Sequence, residues 1–181
     1  GKAVLLLGPP TSGKSTLAWC LHEQGWKLLS SELSLIDSQG RVWPGMQQLK
    51  LWHDATVALE LDWEQMPVVR KGLKRYAYFP SDLSKASEPI PLAVIYELTR
   101  RTNGDGYDDK EDDLVAAISA WPVVIQQVAM LQLRNQAFQP RFYRGMEQEQ
   151  ELFLRAATLV RHVGLHRLLL PDDIKMMQRA L

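Results

Sequence analysis

The sequence predicts an α/β fold, a single P-loop domain built around a mixed sheet, and three observations predict it. An apolar run, Ala3-Val4-Leu5-Leu6-Leu7, leads straight into Gly8-Pro9-Pro10-Thr11-Ser12-Gly13-Lys14-Ser15, and Thr16-Leu17-Ala18 continues as the opening of a helix. That order of strand, glycine-rich turn and helix is the setting in which such a loop holds phosphate. Short apolar runs then alternate with stretches of helical periodicity along the rest of the chain. Finally, 181 residues of which 46% are hydrophobic suffice for one sizeable core, so one domain is expected over residues 1–181.

The elements follow in order. Residues 15–24 carry Leu17, Ala18 and Leu21 at helical spacing, and Gly25 supplies the stop. Residues 26–30 read as a short buried strand, and residues 33–37 continue extended to a turn at Ser38-Gln39-Gly40. Residues 41–43 and 49–52 read as short strands around a turn at Pro44-Gly45. Asp54 offers a cap for a short helix reaching Leu61. Residues 74–79 read as a strand, 80–89 as a polar connection, and 92–98 as a strongly apolar strand. Residues 99–113, with Gly104 and Gly106, read as an exposed loop, and helices are predicted from Leu114 and after Pro122. Leu152, Ala156, Leu159 and Val160 give residues 147–162 a helical face. Residues 163–170 then read as a strand, and Asp172 offers a cap for a last helix reaching Ala180.

The loop at residues 8–16 carries the clearest chemistry. Its backbone N–H groups and the positive end of the following helix point at a phosphate chain. Lys14 can reach the terminal phosphates, and the Ser15 hydroxyl can ligate magnesium. Nucleotide triphosphate binding is therefore the expectation, with Gly8, Pro9, Pro10, Thr11, Ser12, Gly13, Lys14, Ser15 and Thr16 forming the cradle.

Composition narrows the partners. Twenty-one basic and 21 acidic residues cancel, so no electrostatic footprint for nucleic acid or an anionic membrane is expected. No apolar stretch approaches a membrane span. The single cysteine, Cys20, falls on the helix after the loop as a small buried hydrophobe, and a cytoplasmic location is expected for a nucleotide user. The strand before the loop begins unusually near Gly1, and further chain upstream is expected.

The order of motifs resembles the HPr kinase/phosphorylase superfamily, especially its shorter HPr-kinase-like members. The resemblance starts at Leu5-Leu6-Leu7-Gly8-Pro9-Pro10-Thr11-Ser12-Gly13-Lys14-Ser15-Thr16-Leu17-Ala18 and continues through Gly25-Trp26-Lys27-Leu28-Leu29-Ser30-Ser31-Glu32. Leu49-Lys50-Leu51-Trp52, the basic stretch Arg70-Lys71-Gly72-Leu73-Lys74-Arg75 and Pro91-Leu92-Ala93-Val94-Ile95-Tyr96 follow in the same order. Leu152-Phe153, Val163-Gly164-Leu165-His166-Arg167-Leu168 and Pro171-Asp172-Asp173 close the series. The resemblance implies a fold like the C-terminal domain of the HPr kinases (PEP carboxykinase-like) and a bacterial, cytoplasmic, ATP- and magnesium-dependent kinase. Its acceptor would be a serine on a protein or peptide, and homo-oligomerisation stays open.

In that reading Glu32 is the best placed carboxylate, as general base or as a holder of a magnesium-bound water alongside Ser15, with Lys14 as the catalytic cation. A solvated glutamate at a strand end is the plainer alternative. The family commonly has an acidic pair at this point, and Ser31 stands here in place of its first member. The family's catalytic histidine lies upstream of the loop, beyond this chain, and its long glycine-bearing signature has no counterpart here. Phosphorylase activity and HPr itself as substrate are therefore not expected. An ATP-binding regulatory protein without transfer, or a kinase of a small metabolite, remain the alternatives.

Weaker candidates complete the reading. Arg70, Lys71, Lys74 and Arg75 can neutralise phosphate or form a solvated basic hairpin. Asp105, Asp108, Asp109, Asp112 and Asp113 lack the EF-hand pattern and read as loop plus helix N-terminus. His22, His53, His162 and His166 show no metal spacing and read as structural. Arg141 and Arg144 around Phe142-Tyr143 read as a loop anchored by aromatics, and most of the six tryptophans are expected in the core.

Overall fold

A computed structural model describes residues 1–81, 87–100, 119–123, 129, 131, 133–134, 149–171 and 173–180. The fold is α/β with a mainly parallel sheet. Its centre is β5 (Ile90–Arg100); β1 (Ala3–Leu7) and β7 (Leu165–Leu170) each pair with it in parallel. An antiparallel strand, β6 (Ser119–Pro122), lies outside β7, giving the order β1-β5-β7-β6. The short β2 (Arg41–Val42) pairs antiparallel with the first residues of β5. A separate two-stranded sheet joins β3 (Leu49–Trp52) to β4 (Arg75–Tyr78).

The composition of β5 follows from this position. A strand flanked by parallel partners and covered on both faces reads as a near-continuous apolar run, and Ile95 and Leu98 are buried accordingly. The β1–β5 register slips between Ala3 and Val4, an irregularity that puts Leu92 in phase with Ile95 rather than with Tyr96 and Leu98.

One face of the sheet presents Leu6, Tyr96, Leu98, Leu168 and Leu170 to helix α1 (Lys14–Glu23), to the β3–β4 pair and to a C-terminal helix (Ile174–Ala180). Trp19 of α1 meets the Tyr78 ring of β4 edge-on at 6.5 Å between centroids. The other face presents Leu5, Leu7, Ile95 and Leu165 to Leu159 and Val160 of a helix at Glu149–His162. A short helix at His53–Ala58 follows β3. In order along the chain these helices are α1, α2 (His53–Ala58), α3 (Glu149–His162) and α4 (Ile174–Ala180).

Several expectations are corrected. Residues 26–30 form no strand; Gly45 N–H bonds the Leu29 carbonyl at 3.0 Å and the segment runs irregularly beside the sheet. The short strands expected at 41–43 and 49–52 are present as β2 and β3, with β5 and β4 as their partners. Helix α2 starts one residue before Asp54, with Trp52 at its N-cap position and no side-chain cap, and it ends at Ala58. Strand β5 runs through Thr99 to Arg100, and β6 was unforeseen. The last helix is capped by Asp173, whose Oδ1 accepts the Lys175 N–H at 2.7 Å; Asp172 lies outside the described residues. Trp19 is 7% exposed, but Trp26, Trp43 and Trp52 are 50%, 39% and 40% exposed, so the tryptophans are not mostly core. The acidic run at residues 105–113, the predicted helix from Leu114 and the 141–144 segment also fall outside the described residues, apart from the β6 strand. After Pro122, residues 129, 131, 133 and 134 are helical. Among the described residues, no helix is long and apolar enough to cross a membrane.

Candidate functional site

The loop between β1 and α1 is built by backbone conformations that few residues adopt. Gly8 has φ +147°, and a Cβ there would stand 2.6 Å from Ser12 Oγ and 3.3 Å from the Leu98 carbonyl oxygen. Only glycine lets β1 leave the sheet so close to β5. Thr11 has φ 66° and Gly13 φ 95°, and Gly13 is the N-cap of α1, with its carbonyl accepting the Leu17 N–H at 2.8 Å. The turn is tied by the Ser12 N–H on the Pro9 carbonyl at 3.2 Å. Ser12, Gly13 and Thr16 are buried, whereas Pro9, Pro10 and Thr11 are exposed.

Lys14 folds back over this loop. Its Nζ donates to the Gly8 carbonyl at 2.8 Å, to the Pro9 carbonyl at 2.7 Å and to Ser12 Oγ at 3.3 Å. Burial, with repulsion from the Arg75 guanidinium added, holds its pKa below the ordinary 10.5. A second cation therefore acts on the loop's lysine. Arg75 lies on β4, its guanidinium 5.4 Å from the centroid of the Trp52 ring. Arg70, Lys71 and Lys74 are exposed around the turn that precedes β4.

Beside the loop lies a cleft of ≈ 370 Å³, lined by residues 9–12 of the loop, by Glu97, Leu98 and Thr99 of β5, and by Arg167 of β7. That volume is within the usual range for small-molecule sites, roughly 300–1,000 Å³. The position also fits a general rule. In open α/β sheets, ligands lodge beyond the carboxyl ends of parallel strands, and the loop leaves β1 at that end. Leu7 and Glu97 are register partners, as are Glu97 and Arg167. Arg167 Nε stands 3.4 Å from Glu97 Oε2.

The residues expected from sequence are thus brought together only in part. Residues 8–16 form one continuous loop and helix start. Glu32 lies in the irregular segment, 52% exposed at its side chain, and its Oε1 pairs with Lys50 Nζ of β3 at 2.8 Å. No loop residue from 8 to 16 is its partner among the described residues. Ser31 Oγ is buried beside it without a hydrogen bond. Sequence reasoning missed Glu97 and Arg167. The available signal was Glu97 itself, one carboxylate within the apolar run at residues 92–98.

Among the described residues, no group of three or more His, Cys, Asp or Glu side chains stands ready to hold a metal ion. His22 Nδ1 lies 3.1 Å from the Trp26 carbonyl oxygen, and His53 stacks edge-on against Trp63 at 4.7 Å. Such a site suits magnesium only as a companion of phosphates, since that ion keeps its waters and takes few protein ligands. No protein-family model, curated protein or solved structure matches the chain.

Proposed function

We propose that the chain binds a magnesium–nucleoside triphosphate at residues 8–16 and transfers its terminal phosphoryl group to a serine of a protein or peptide, as an HPr-kinase-like P-loop kinase. The observation that carries the nucleotide half is the loop: Gly8 with no room for a side chain, left-handed Gly13 opening α1, and Lys14 held over the loop carbonyls. In that arrangement the ammonium exchanges two carbonyl dipoles for phosphate oxygens, a stronger charge-assisted contact. The Ser15 hydroxyl, next along the helix, would ligate the magnesium, which supplies charge neutralisation when bound. The acceptor class and the ATP preference rest on the motif order from Leu5 to Asp173.

One observation favours a second reading. The carboxylate that this family resemblance assigns to the transfer step, Glu32, is engaged by Lys50 on an exposed surface, and Ser31 replaces its acidic neighbour. A nucleotide-binding regulatory protein without transfer accommodates both facts. The decisive experiment incubates labelled ATP with cell lysate and the parent protein, Lys14→Ala or Glu32→Gln. Label on a partner protein that depends on both residues supports the kinase; label on a metabolite makes it a small-molecule kinase. Tight binding with no label selects the regulatory protein. Absence of calorimetric heat from both Mg·ATP and Mg·GTP removes all three.

A further inference from the structure

We propose that Arg167 and Glu97 form a sensor for the terminal phosphate, through which the cleft distinguishes a nucleoside triphosphate from its diphosphate. The inference rests on the nucleotide reading above and deepens it. Both residues line the cleft together with loop residues 9–12, on adjacent parallel strands and in direct register. Their contact is a weak tie. At 3.4 Å it exceeds the roughly 2.7–2.9 Å of a charge-assisted hydrogen bond, and it uses one of the five N–H donors a guanidinium carries.

The two ends of the tie differ in exposure. The Glu97 side chain is 17% exposed and Arg167 is 43% exposed. The carboxylate sits in the cleft wall, and the guanidinium is the more exposed partner. An unmasked carboxylate facing an anion cleft would repel polyphosphate, and Arg167 masks it. A phosphate chain long enough to pass the loop offers Arg167 a second oxyanion with better, two-pronged geometry. With its remaining N–H donors Arg167 bonds that phosphate while still screening Glu97. A diphosphate, with its last group seated in the loop, does not reach it.

The test measures Mg·ATP and Mg·ADP affinities by calorimetry for the parent protein, Arg167→Ala, Arg167→Lys, Glu97→Gln and Lys14→Ala. Arg167→Ala is expected to weaken Mg·ATP about tenfold while shifting Mg·ADP by less than about twofold, the loss of one charged contact at about tenfold per 1.4 kcal/mol. Arg167→Lys keeps the charge without the fork, and falls between. It carries the test if the alanine variant does not fold. Glu97→Gln removes the competitor for Arg167 and raises the preference for ATP over ADP about threefold, a change that a purely structural pair would not produce. Equal losses for both nucleotides in the Arg167 variants, no loss in either, or weaker ATP binding in Glu97→Gln overturns the sensor. If Lys14→Ala abolishes binding while the Arg167 variants keep the parent ratio, the sensor alone fails. A parent protein that binds neither nucleotide ends the nucleotide reading and the sensor with it.

Discussion

Lys14 and Cys20 lie on the same helix, yet the protein shifts their proton equilibria in opposite directions. Burial and the neighbouring Arg75 lower the Lys14 pKa, so in the free protein this ammonium loses its proton before an ordinary lysine would. In the proposed site, its attraction for phosphate would be lost at the same point. Mg·ATP affinity is therefore expected to decline as pH rises through that lowered pKa, below 10.5, and Arg75→Gln should move the decline to higher pH. Calorimetric titrations across a pH series read both. In that window the unfolded chain holds the extra proton, so Lys14 makes stability rise with pH. Cys20 is buried, and burial, with the Glu23 carboxylate adding to it, pushes its thiol from 9.0 to about 11. Here the folded state keeps the proton longer, and stability falls as pH climbs from 9.0 toward 11. Two units less acidity leave about a hundredfold less thiolate at neutral pH. Alkylation of the native protein by iodoacetamide should be at least that much slower than in denaturant; equal rates would show that Cys20 is not buried.

At the scale of elements, the C-terminal helix α4 depends on its first turn. It has seven residues, too few for propensity to hold it. It is kept by Met177, 1% exposed in the core beneath the sheet, and by the Asp173 cap on the Lys175 N–H. Asp173→Ala should lower unfolding free energy by about 0.5–2 kcal/mol in urea titrations, with Asp173→Asn retaining most of it. Strands β1, β5 and β7 and helices α1 and α3 were legible because each is long enough for its own periodicity to report its environment. The misreadings share a different cause. Residues 26–30 carry an apolar pair, Leu28-Leu29, that packs against the sheet as an irregular segment, and apolarity alone does not specify a ladder. Strands β2 and β3 were legible as strands, but their partners, β5 and β4, are chosen by tertiary packing and invisible in local pattern. Strand β6 was hidden by Pro122, which a sheet tolerates at an edge such as this one.

The whole molecule couples its candidate site to its core. Strands β1, β5 and β7 share one sheet, and the cleft takes its walls from β5, β7 and the loop that leaves β1. Half of that site was readable and half was not, for a physical reason. The loop is contiguous, so eight residues in order announce it; Glu97 and Arg167 stand 70 residues apart and meet only once β5 and β7 pair in register. A ligand that spans the cleft bonds to strands that separate only when the sheet itself comes apart, so its binding energy is lost only in global unfolding. At a concentration one hundred times its dissociation constant, such a ligand adds about 2.7 kcal/mol to the folded state. For a chain of this size, each kcal/mol is worth roughly 2–4 °C, so saturating Mg·ATP should raise Tm by about 5–10 °C. Lys14→Ala should remove that rise without lowering the unliganded Tm to the same degree, because among the described residues its ammonium bonds only to its own loop. A rise confined to local protection of residues 8–16 in hydrogen exchange, with Tm unmoved, would mean that nucleotide touches the loop and leaves β5 and β7 out of the site.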